Sequence, residues 1–340
     1  MFDTRQAADN PASNQSPRMQ SRAVLTLAAG KQVYWQMAIN LARSFLWWHN
    51  QSDIRFYIVT DLPDKLPADL SGVELVRVSQ DTLGKGFSAK LHLDELSPAM
   101  KTLFIDADCL IVGNLESVFD RFAGRAVSVV GGSISSGEWF GDVAALCLCF
   151  RVASLPKFNG GIYYLEQGAI SKTVYKRARE LEQDYDKLGL IRLRGRPNDE
   201  LLMAIAMALH GLESLPEDGT IMGDLYSCPE LLELDVLRGK AILRNPPPPN
   251  KQHRNWYPAG EIKPVIAHFL GDFTTGWQYQ AEAKKLRLVI QRHWSMTWAN
   301  IFVALTFSYP QQIVERAKNV FRPLFHATFG PRSVARTRRI

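Results

Sequence analysis

Strand, helix and strand patterns follow one another near the start of the chain. Residues 22–27 form one apolar run, RAVLTL, and residues 54–61 form another, IRFYIVTD. Between them, apolar residues recur at helical spacing from Val33 to Trp48. Three such segments within about forty residues indicate a βαβ unit, whose two strands run parallel. We therefore predict an α/β fold with a mostly parallel central sheet.

An acidic triplet follows a later apolar strand pattern. Residues 102–105 are the strand, and Asp106 and Asp108 flank Ala107 directly after it. In open α/β sheets, ligands bind outside the carboxyl ends of the strands. On extended backbone, residues two apart point to the same side, so both carboxylates would reach one cation. Oxygen ligands suit Mg²⁺ or Mn²⁺, although a D-x-D triplet alone is also common in turns and helix caps.

Composition excludes several classes of protein. Apolar residues make up 46% and charged residues 22%, which is ordinary for a globular enzyme. Residues 1–20 are polar and lack the apolar core of a signal peptide, so we predict a disordered lead there. The sequence has no run of eighteen or more apolar residues, and no transmembrane helix is predicted.

The cysteines indicate a reducing compartment. Cys109, Cys147, Cys149 and Cys228 have neither the density of a disulfide framework nor the spacing of a metal site. Cys147 and Cys149 fall in the apolar run AALCLCF, where a strand would place both on one face. Free cysteine behaves as a small hydrophobe, so buried free thiols are favoured over metal ligands. A cytoplasmic protein fits this pattern.

Four sequence blocks occur in a fixed order between residues 21 and 277. They are AVLTLAAG with Tyr34 shortly after, SAKLHLDELSPAMKTLFIDADCLIVGNLESVFD, FNGGIYYLE, and HFLG followed by a Trp. In content and order they resemble the GT-A glycosyltransferases of the glycogenin and galactinol synthase type, called family 8. The resemblance implies a Rossmann-like GT-A fold. It also implies transfer of a hexosyl group from a nucleotide-sugar, most simply a UDP-sugar, to a hydroxyl of a glycan or glycolipid, with retention.

The same resemblance implies a metal site. Asp106 and Asp108 would form its DxD motif and bind Mn²⁺ (or Mg²⁺), with His268 as a third protein ligand. A neutral imidazole is a suitable partner for carboxylates on such an ion. The metal would bridge the two donor phosphates and act as a Lewis acid on the leaving group. Apart from the resemblance, a lone His after an apolar strand is more often structural.

The resemblance further implies a donor-binding set. Its members are Leu27, Ala28, Gly30, Tyr34, Lys90, Asp106, Ala107, Gly160 and Gly271. Tyr34 would stack on the uracil, although a core position on a helix face explains it equally well. Ala28 and Gly30 stand where family members often carry Thr and Asn, so side-chain hydrogen bonds to the nucleotide would be missing.

Three residues would act near the transferred sugar. By resemblance, Lys90 contacts the donor near its sugar and phosphate, and Asn159 faces the sugar. Asp199 would bind sugar hydroxyls or lie beside the anomeric carbon. The alternatives are a solvated lysine, an Asn-Gly turn and a helix N-cap. Asn198 could provide the cap, leaving Asp199 or Glu200 to face the site. No residue is assigned as a nucleophile.

One block departs from the family pattern. The family's last block usually reads H-F-x-G-x-x-K-P-W, and its Lys grips the diphosphate. Here residues 268–277 read HFLGDFTTGW. The positive charge of that lysine would have to be replaced by Thr hydroxyls, backbone amides, Lys251 or Arg254. The departure motivates an alternative function, a catalytically impaired nucleotide-sugar-binding or scaffold protein at a membrane.

The C-terminal segment is basic and aromatic. Residues 284–340 contain eleven Lys or Arg and one acid, Glu315. We predict a GT-A domain over residues 21–283 and a basic helical appendage over residues 284–340. Such a segment would bind an anionic membrane surface, making the protein peripheral on the cytoplasmic face. A helical face packed on the domain is the alternative, and nucleic-acid binding is disfavoured.

Overall fold

The computed structural model describes residues 20–79 and 86–330. The strands in these ranges are β1 (Gln20–Leu27), β2 (Arg55–Thr60), β3 (Val73–Arg77), β4 (Ala99–Ile105), β5 (Cys109–Ile111), β6 (Val127–Ser128), β7 (Val130–Ile134), β8 (Leu155–Phe158), β9 (Ile162–Glu166), β10 (Leu215–Pro216), β11 (Met222–Asp224), β12 (Glu230–Asp235), β13 (Lys240–Asn245), β14 (Gly260–Ile262) and β15 (Ile266–His268).

The α-helices in the same ranges are α1 (Gln32–His49), α2 (Leu93–Leu96), α3 (Glu116–Phe122), α4 (Val143–Phe150), α5 (Ala169–Gln183), α6 (Asp199–Leu209), α7 (Trp277–Leu286), α8 (Met296–Val303) and α9 (Tyr309–Phe329). Among the described residues, no helix combines the length and apolar character needed to span a bilayer. The predicted disordered lead lies outside the described residues except for Gln20, with which β1 begins.

The central sheet has six strands in the order β3-β2-β1-β4-β9-β6. Strands β3, β2, β1 and β4 are parallel, whereas β9 runs antiparallel to both β4 and β6. Alternate residues of β4 enter two different cores: Leu103 and Ile105 pack on the α1 side, and Phe104 packs on the side of α5 and α6. Helices on both faces explain why these strands are continuous apolar runs. The predicted α/β class is confirmed.

A smaller sheet extends from the carboxyl end of β4. Strand β5 follows β4 after a short turn and pairs antiparallel with β15, which in turn pairs parallel with β11. This register sets His268 directly opposite Cys109. Directly opposed residues in an antiparallel pair share a face of the sheet. The last residue of β15 therefore lies beside the acidic triplet.

The prediction of a buried thiol was wrong for Cys149. Residues 143–150 form helix α4, not a strand, and the Asp142 side chain caps the helix by accepting the Ala145 N–H at 3.1 Å. Residues two apart on a helix are about 200° apart around its axis. Cys147 is accordingly buried and Cys149 exposed. Cys109, Cys147 and Cys228 are buried free thiols as expected.

The predicted helical C-terminal region is present. Helix α7 runs through the predicted boundary between residues 283 and 284, and Leu286, Val289 and Ala299 are buried in the domain core. Helix α9, in contrast, has no buried residue. The first part of the basic segment thus packs on the domain, and its last helix extends from it. The division into domains itself stays a prediction.

Candidate active site

The acidic triplet forms a turn at the end of β4. Cys109 N–H donates to the Asp106 carbonyl at 3.0 Å, and Asp106 N–H donates to the Gly161 carbonyl at 2.9 Å. The expected extended backbone over residues 106–108 was therefore wrong, because a hydrogen bond between residues i and i+3 closes a β-turn here. The turn still directs Asp106 and Asp108 into one cluster of charged side chains, described next.

His268 is buried beside Asp108. Its Nε2 lies 3.1 Å from Asp108 Oδ1, but neither ring nitrogen makes a hydrogen bond among the described residues. The ring is 1% exposed. Burial opposes a charge on the imidazole, but the carboxylates of Asp108 and Asp106 outweigh it and raise the pKa of His268. A buried polar group without a hydrogen-bond partner needs an explanation.

Lys90 lies inside the site. Its Nζ is 2.7 Å from Asp106 Oδ2, 2.8 Å from the Gly160 carbonyl oxygen and 3.9 Å from Asp199 Oδ2. Burial opposes the charged form, but Asp106 and Asp199 outweigh it, so the pKa of Lys90 is raised. Burial also raises the pKa of Asp106, against the effect of the Lys90 charge. The alternative of a solvated surface lysine is excluded.

The first turn of helix α6 lies close to Lys90, since it contains Asp199. Asn198 is the N-cap, since its Oδ1 accepts the Leu201 N–H at 3.0 Å. This leaves the Asp199 carboxylate free to accept the Tyr163 hydroxyl at 2.6 Å. Glu200 Oε1 accepts the Gly160 N–H at 2.7 Å. Burial and the neighbouring Asp199 charge raise the pKa of Glu200 to about 7.

Tyr34 and Asn159 lie close to this cluster. Tyr34 is half-buried in the first turn of α1, and burial, followed by the Asp108 charge, raises the pKa of its phenol. Asn159 Oδ1 accepts the Gly161 N–H at 2.9 Å, so the Asn-Gly turn is present. Gly30 has a φ of +74° and donates its N–H to Asp61 Oδ1 at 2.8 Å.

Three other predicted donor-binding residues, Leu27, Ala28 and Ala107, have apolar side chains. Ala28 is fully buried, and Leu27 packs against the apolar core on the α5 and α6 side. Among the described residues, no hydrogen bond or ion pair joins either one to Lys90 or the acids. Ala107, at the tip of the turn, is 7% exposed. Their proposed contact with a nucleotide stays a prediction.

The departure from the family pattern lies next to His268. Residues 271–275 form a short 3₁₀ helix, in which the Thr274 hydroxyl donates to the Gly271 carbonyl and the Thr275 hydroxyl to the Asp272 carbonyl. These hydroxyl protons are therefore already used within the loop. The Arg254 guanidinium lies over the rings of Tyr226 and Trp256. A role of Lys251 or Arg254 in place of the missing lysine stays a prediction.

Sequence reasoning missed two arginines at the edge of the site. Arg194 Nη2 lies 4.0 Å from the position that a Cβ on Gly271 would occupy. Arg194 and Arg196 are both exposed, in the loop before α6. The available signal was the RGR tripeptide directly before the PNDELL segment. This tripeptide is far from the DxD motif in sequence, so the sequence alone did not indicate that the two lie close together.

The residues present fit a divalent cation. Possible ligand atoms of Asp108, Cys109 and His268 lie within 4.8 Å of one another. Burial first, and then the Asp108 charge, raises the pKa of the Cys109 thiol well above its usual value. Mn²⁺ and Mg²⁺ prefer oxygen donors to a thiolate, so the Asp108 carboxylate and the His268 imidazole are the better donors of this group. Asp106 is not a member of the 4.8 Å group, and its Oδ2 lies 2.7 Å from Lys90 Nζ, so its role as a ligand stays a prediction.

The His268 ring packs against Gly161, where the absence of a side chain provides the space for it. A Cβ on Gly161 would lie 2.6 Å from His268 Nδ1 and 2.9 Å from Met222 Sδ, so the ring would have to move. We expect Gly161→Ala to weaken Mn²⁺ binding at least about tenfold in a calorimetric titration. The free energy of unfolding should fall by about 1–3 kcal/mol in urea.

Gly132→Ala is the matched control, because a Cβ there meets no atom within 4 Å. If both variants bound Mn²⁺ as the unaltered protein does, His268 would not be a ligand held in place by Gly161.

Comparison with known proteins gives only distant similarities. No protein-family model and no curated protein matches the chain. Among solved structures, the chain is similar to the galactosyltransferase LgtC in complex with donor and acceptor sugar analogues, at 14% identity over 73% of this chain and 87% of that one, with a TM-score of 0.45. An active-site mutant of LgtC gives the same identity and coverage and a TM-score of 0.48.

Two further structures are similar over shorter parts of the chain. The glycosyltransferase GlyE of Streptococcus pneumoniae TIGR4, in its apo form, is 17% identical over 57% of this chain and 45% of that one, with a TM-score of 0.38. Mouse xyloside xylosyltransferase 1 is 14% identical over 60% of this chain and 88% of that one, with a TM-score of 0.40. All four similarities lie at 17% identity or less, with TM-scores below 0.5.

Proposed function

We propose that this chain is a metal-dependent glycosyltransferase with a GT-A fold, related to family 8. It transfers a hexosyl group from a nucleotide-sugar, a UDP-sugar in our proposal, to a hydroxyl of a glycan or glycolipid with retention. One observation carries the proposal. At the carboxyl end of a central parallel strand, Asp108 Oδ1 lies 3.1 Å from Nε2 of the buried His268, and within the described part of the chain neither ring nitrogen makes a hydrogen bond of regular geometry.

Asp106, Asp108 and His268 would hold Mn²⁺ or Mg²⁺. The bound ion would supply Lewis-acid chemistry, neutralising the diphosphate as it leaves. Lys90 adds a positive charge at the same place, because its Nζ lies 2.7 Å from Asp106 Oδ2. In a site removed from water, such fixed charges stabilise a developing negative charge strongly.

Asp199 is the carboxylate that we propose to contact the sugar. The Tyr163 hydroxyl at 2.6 Å and the Lys90 ammonium at 3.9 Å fix its orientation. Glu200 has a different part, because it accepts the Gly160 N–H and thereby ties helix α6 to the Asn159-Gly160 turn. In this proposal Asp199 binds the donor sugar and Glu200 positions the loop beneath it.

A donor screen tests the proposal. The protein is incubated with Mn²⁺ and UDP-glucose, UDP-galactose, UDP-N-acetylglucosamine or GDP-mannose, and released nucleoside diphosphate is measured. We expect release from at least one UDP-sugar, loss of release with EDTA and recovery with added Mn²⁺. An α-linked product from an α-linked donor, identified by NMR, would support retention. Absence of both release and binding for every donor would overturn the assignment.

The second candidate function is nucleotide-sugar binding without transfer. The observation that favours it is the loop at residues 271–275, where both Thr hydroxyls donate to the loop's own backbone and no lysine is present. In the same screen, this candidate predicts Mn²⁺-dependent binding of a UDP-sugar with no release of UDP above the spontaneous rate.

An apolar face on the C-terminal helices supports the proposed membrane contact. A groove of about 530 Å³ runs along helix α8, from the loop before the helix to the segment after it. It is lined by Trp294, Ser295, Trp298, Ile301, Phe302, Leu305 and Thr306. Helix α9 continues the exposed apolar surface with Ile313, Phe321 and Leu324. Its bases include Arg316, Lys318 and Arg322. Apolar and cationic groups together suit an anionic bilayer.

We propose that this face holds a cytoplasmic protein on an anionic bilayer. The double variant Trp298→Ala/Phe302→Ala should lose most of its co-sedimentation with vesicles of phosphatidylglycerol and phosphatidylcholine, because two large exposed rings no longer enter the interface. Leu148→Ala is the control, since Leu148 is 81% exposed on the separate helix α4. Unchanged sedimentation of the double variant, or equal binding to pure phosphatidylcholine, would contradict the proposal.

A further inference from the structure

The loop between α5 and α6 contains a tight hairpin with two arginines. Leu193 and Arg196 form an isolated antiparallel bridge, and Arg196 N–H donates to the Leu193 carbonyl at 3.0 Å. The two residues between them have positive φ, 56° at Arg194 and 79° at Gly195. Positive φ at both central positions is typical of a type I′ turn. We call residues 193–196 the arginine hairpin.

The backbone of Arg194 is unusual for its residue type. A side chain other than Gly, Asn or Asp seldom adopts positive φ, because the conformation is sterically unfavourable. Strained residues of this kind cluster at ligand-binding sites, where the surrounding structure holds them. A less strained turn with Gly or Asn at this position would form the same hairpin but would not carry the guanidinium.

The arginine hairpin lies close to Gly271, a member of the predicted donor-binding set. Arg194 Nη2 is 4.0 Å from the position of a Cβ on Gly271, three residues after His268. Tyr34 gives a second indication. Burial chiefly, and then the charges of Asp108 and Asp106, raise the pKa of the Tyr34 phenol, whereas the charges of Arg194 and Arg196 lower it. The phenol thus experiences the acidic turn and both arginines together.

The two guanidinium groups have no protein partner among the described residues. Neither Arg194 nor Arg196 forms an ion pair or a side-chain hydrogen bond there. Arg192, two residues earlier, differs: its Nε and Nη2 bind Asp186 at 2.9 and 2.7 Å, and the group lies over the Tyr185 ring. The loop therefore uses one arginine for its own structure and leaves the next two available.

Other groups near the site are already engaged. Lys90 is bound to Asp106 and the Gly160 carbonyl, and Arg254 lies on two aromatic rings. The hydroxyls of Thr274 and Thr275 donate to their own loop. A diphosphate bound beside Gly271 would therefore interact with the available guanidinium groups of the arginine hairpin.

We propose that Arg194 and Arg196 bind the diphosphate of the donor and stabilise it as the leaving group. This inference rests on the proposed function. During transfer, the bond between the anomeric carbon and the phosphate oxygen breaks and leaves its electron pair on the diphosphate. The acceptor oxygen bonds to that carbon, and its proton passes to water. Planar guanidinium groups bind phosphate oxygens in pairs, which suits them to this charge.

The test compares ligands with and without phosphates. Calorimetric titrations with UDP, inorganic pyrophosphate and uridine are made in Mn²⁺ on the unaltered full chain and on Arg194→Ala/Arg196→Ala. We expect the double variant to bind UDP and pyrophosphate at least tenfold more weakly. Its affinities for uridine and for Mn²⁺ should not change. Arg192→Ala is the control from the same loop and should bind UDP as the unaltered protein does.

Each outcome separates this inference from the proposed function. Equal UDP affinity in the double variant and the unaltered protein would overturn the role of the arginine hairpin and leave the proposed function intact. If the unaltered protein bound pyrophosphate but not UDP, the uridine assignment would be overturned. The role of the arginine hairpin would then be tested by comparing the pyrophosphate affinities of the unaltered protein and the double variant. Binding of neither ligand by the unaltered protein would overturn both. Circular dichroism melting shows whether each variant is folded.

Discussion

Asp108→Asn is expected to lower Mn²⁺-dependent release of UDP from a UDP-sugar by about 10³-fold. The change keeps the shape of the side chain but removes the charge beside His268 Nε2, 3.1 Å away. A Lewis-acid metal contributes several kcal/mol to a transition state, and about 1.4 kcal/mol corresponds to a factor of ten. The measurement is initial UDP release at saturating Mn²⁺, with the Mn²⁺ affinity determined by calorimetry.

Asp120→Asn is the control for this change, because Asp120 is an exposed acid at the end of α3. Its activity should equal that of the unaltered protein. If Asp108→Asn retained more than about a tenth of the activity at the same Mn²⁺ concentration, Asp108 would not be a metal ligand of the reaction.

Lys90→Met is expected to lower the free energy of unfolding by about 3 kcal/mol in metal-free buffer, since breaking a buried ion pair leaves charges without a partner. The Lys90 side chain is 12% exposed and lies between Asp106 and Asp199. Methionine keeps most of the length of the chain but supplies no charge. The measurement is urea denaturation with EDTA, followed by the same experiment with Mn²⁺.

Mn²⁺ should restore part of the lost stability in Lys90→Met, because a cation that binds only the folded state stabilises it. Lys101→Met is the control: its Nζ lies 3.6 Å from Glu166 with 40% of the side chain exposed, so the loss should be about 1 kcal/mol or less. Equal losses in the two variants would show that Lys90 is not the charge that balances the acidic cluster.

The central architecture follows from local sequence patterns. Parallel strands covered on both faces must be continuous apolar runs, and residues 22–27 and 54–61 have that pattern. The end of such a strand is also where a ligand site is expected, so the position of Asp106 and Asp108 could be predicted. Both inferences depend on short-range periodicity, which a single sequence contains.

Details of backbone conformation were less predictable. The extended geometry expected over residues 106–108 is replaced by a turn. Here Asp106 N–H donates to the carbonyl of Gly161, which lies in the connection between β8 and β9. The apolar run around Cys147 fits either a strand or a helix by hydrophobicity alone. The Asp142 cap and the surrounding core decide for the helix.

Contacts between distant segments were the least predictable part of the site. Tyr163 reaches Asp199 and Glu200 reaches Gly160 only because strand β9 and helix α6 pack together. Arg194 approaches Gly271 across a still longer gap in sequence. Such pairs depend on the register of packed elements, about which local patterns contain no information.

Calorimetric titration of the purified full chain with UDP, in Mn²⁺ and in EDTA, tests the central claim most directly. The site brings together two aspartates, a buried histidine and a lysine where a parallel strand ends. We predict saturable binding of UDP in Mn²⁺ and binding at least tenfold weaker in EDTA. Absence of UDP binding in Mn²⁺, or equal affinity in both buffers, would contradict a metal-dependent uridine nucleotide site.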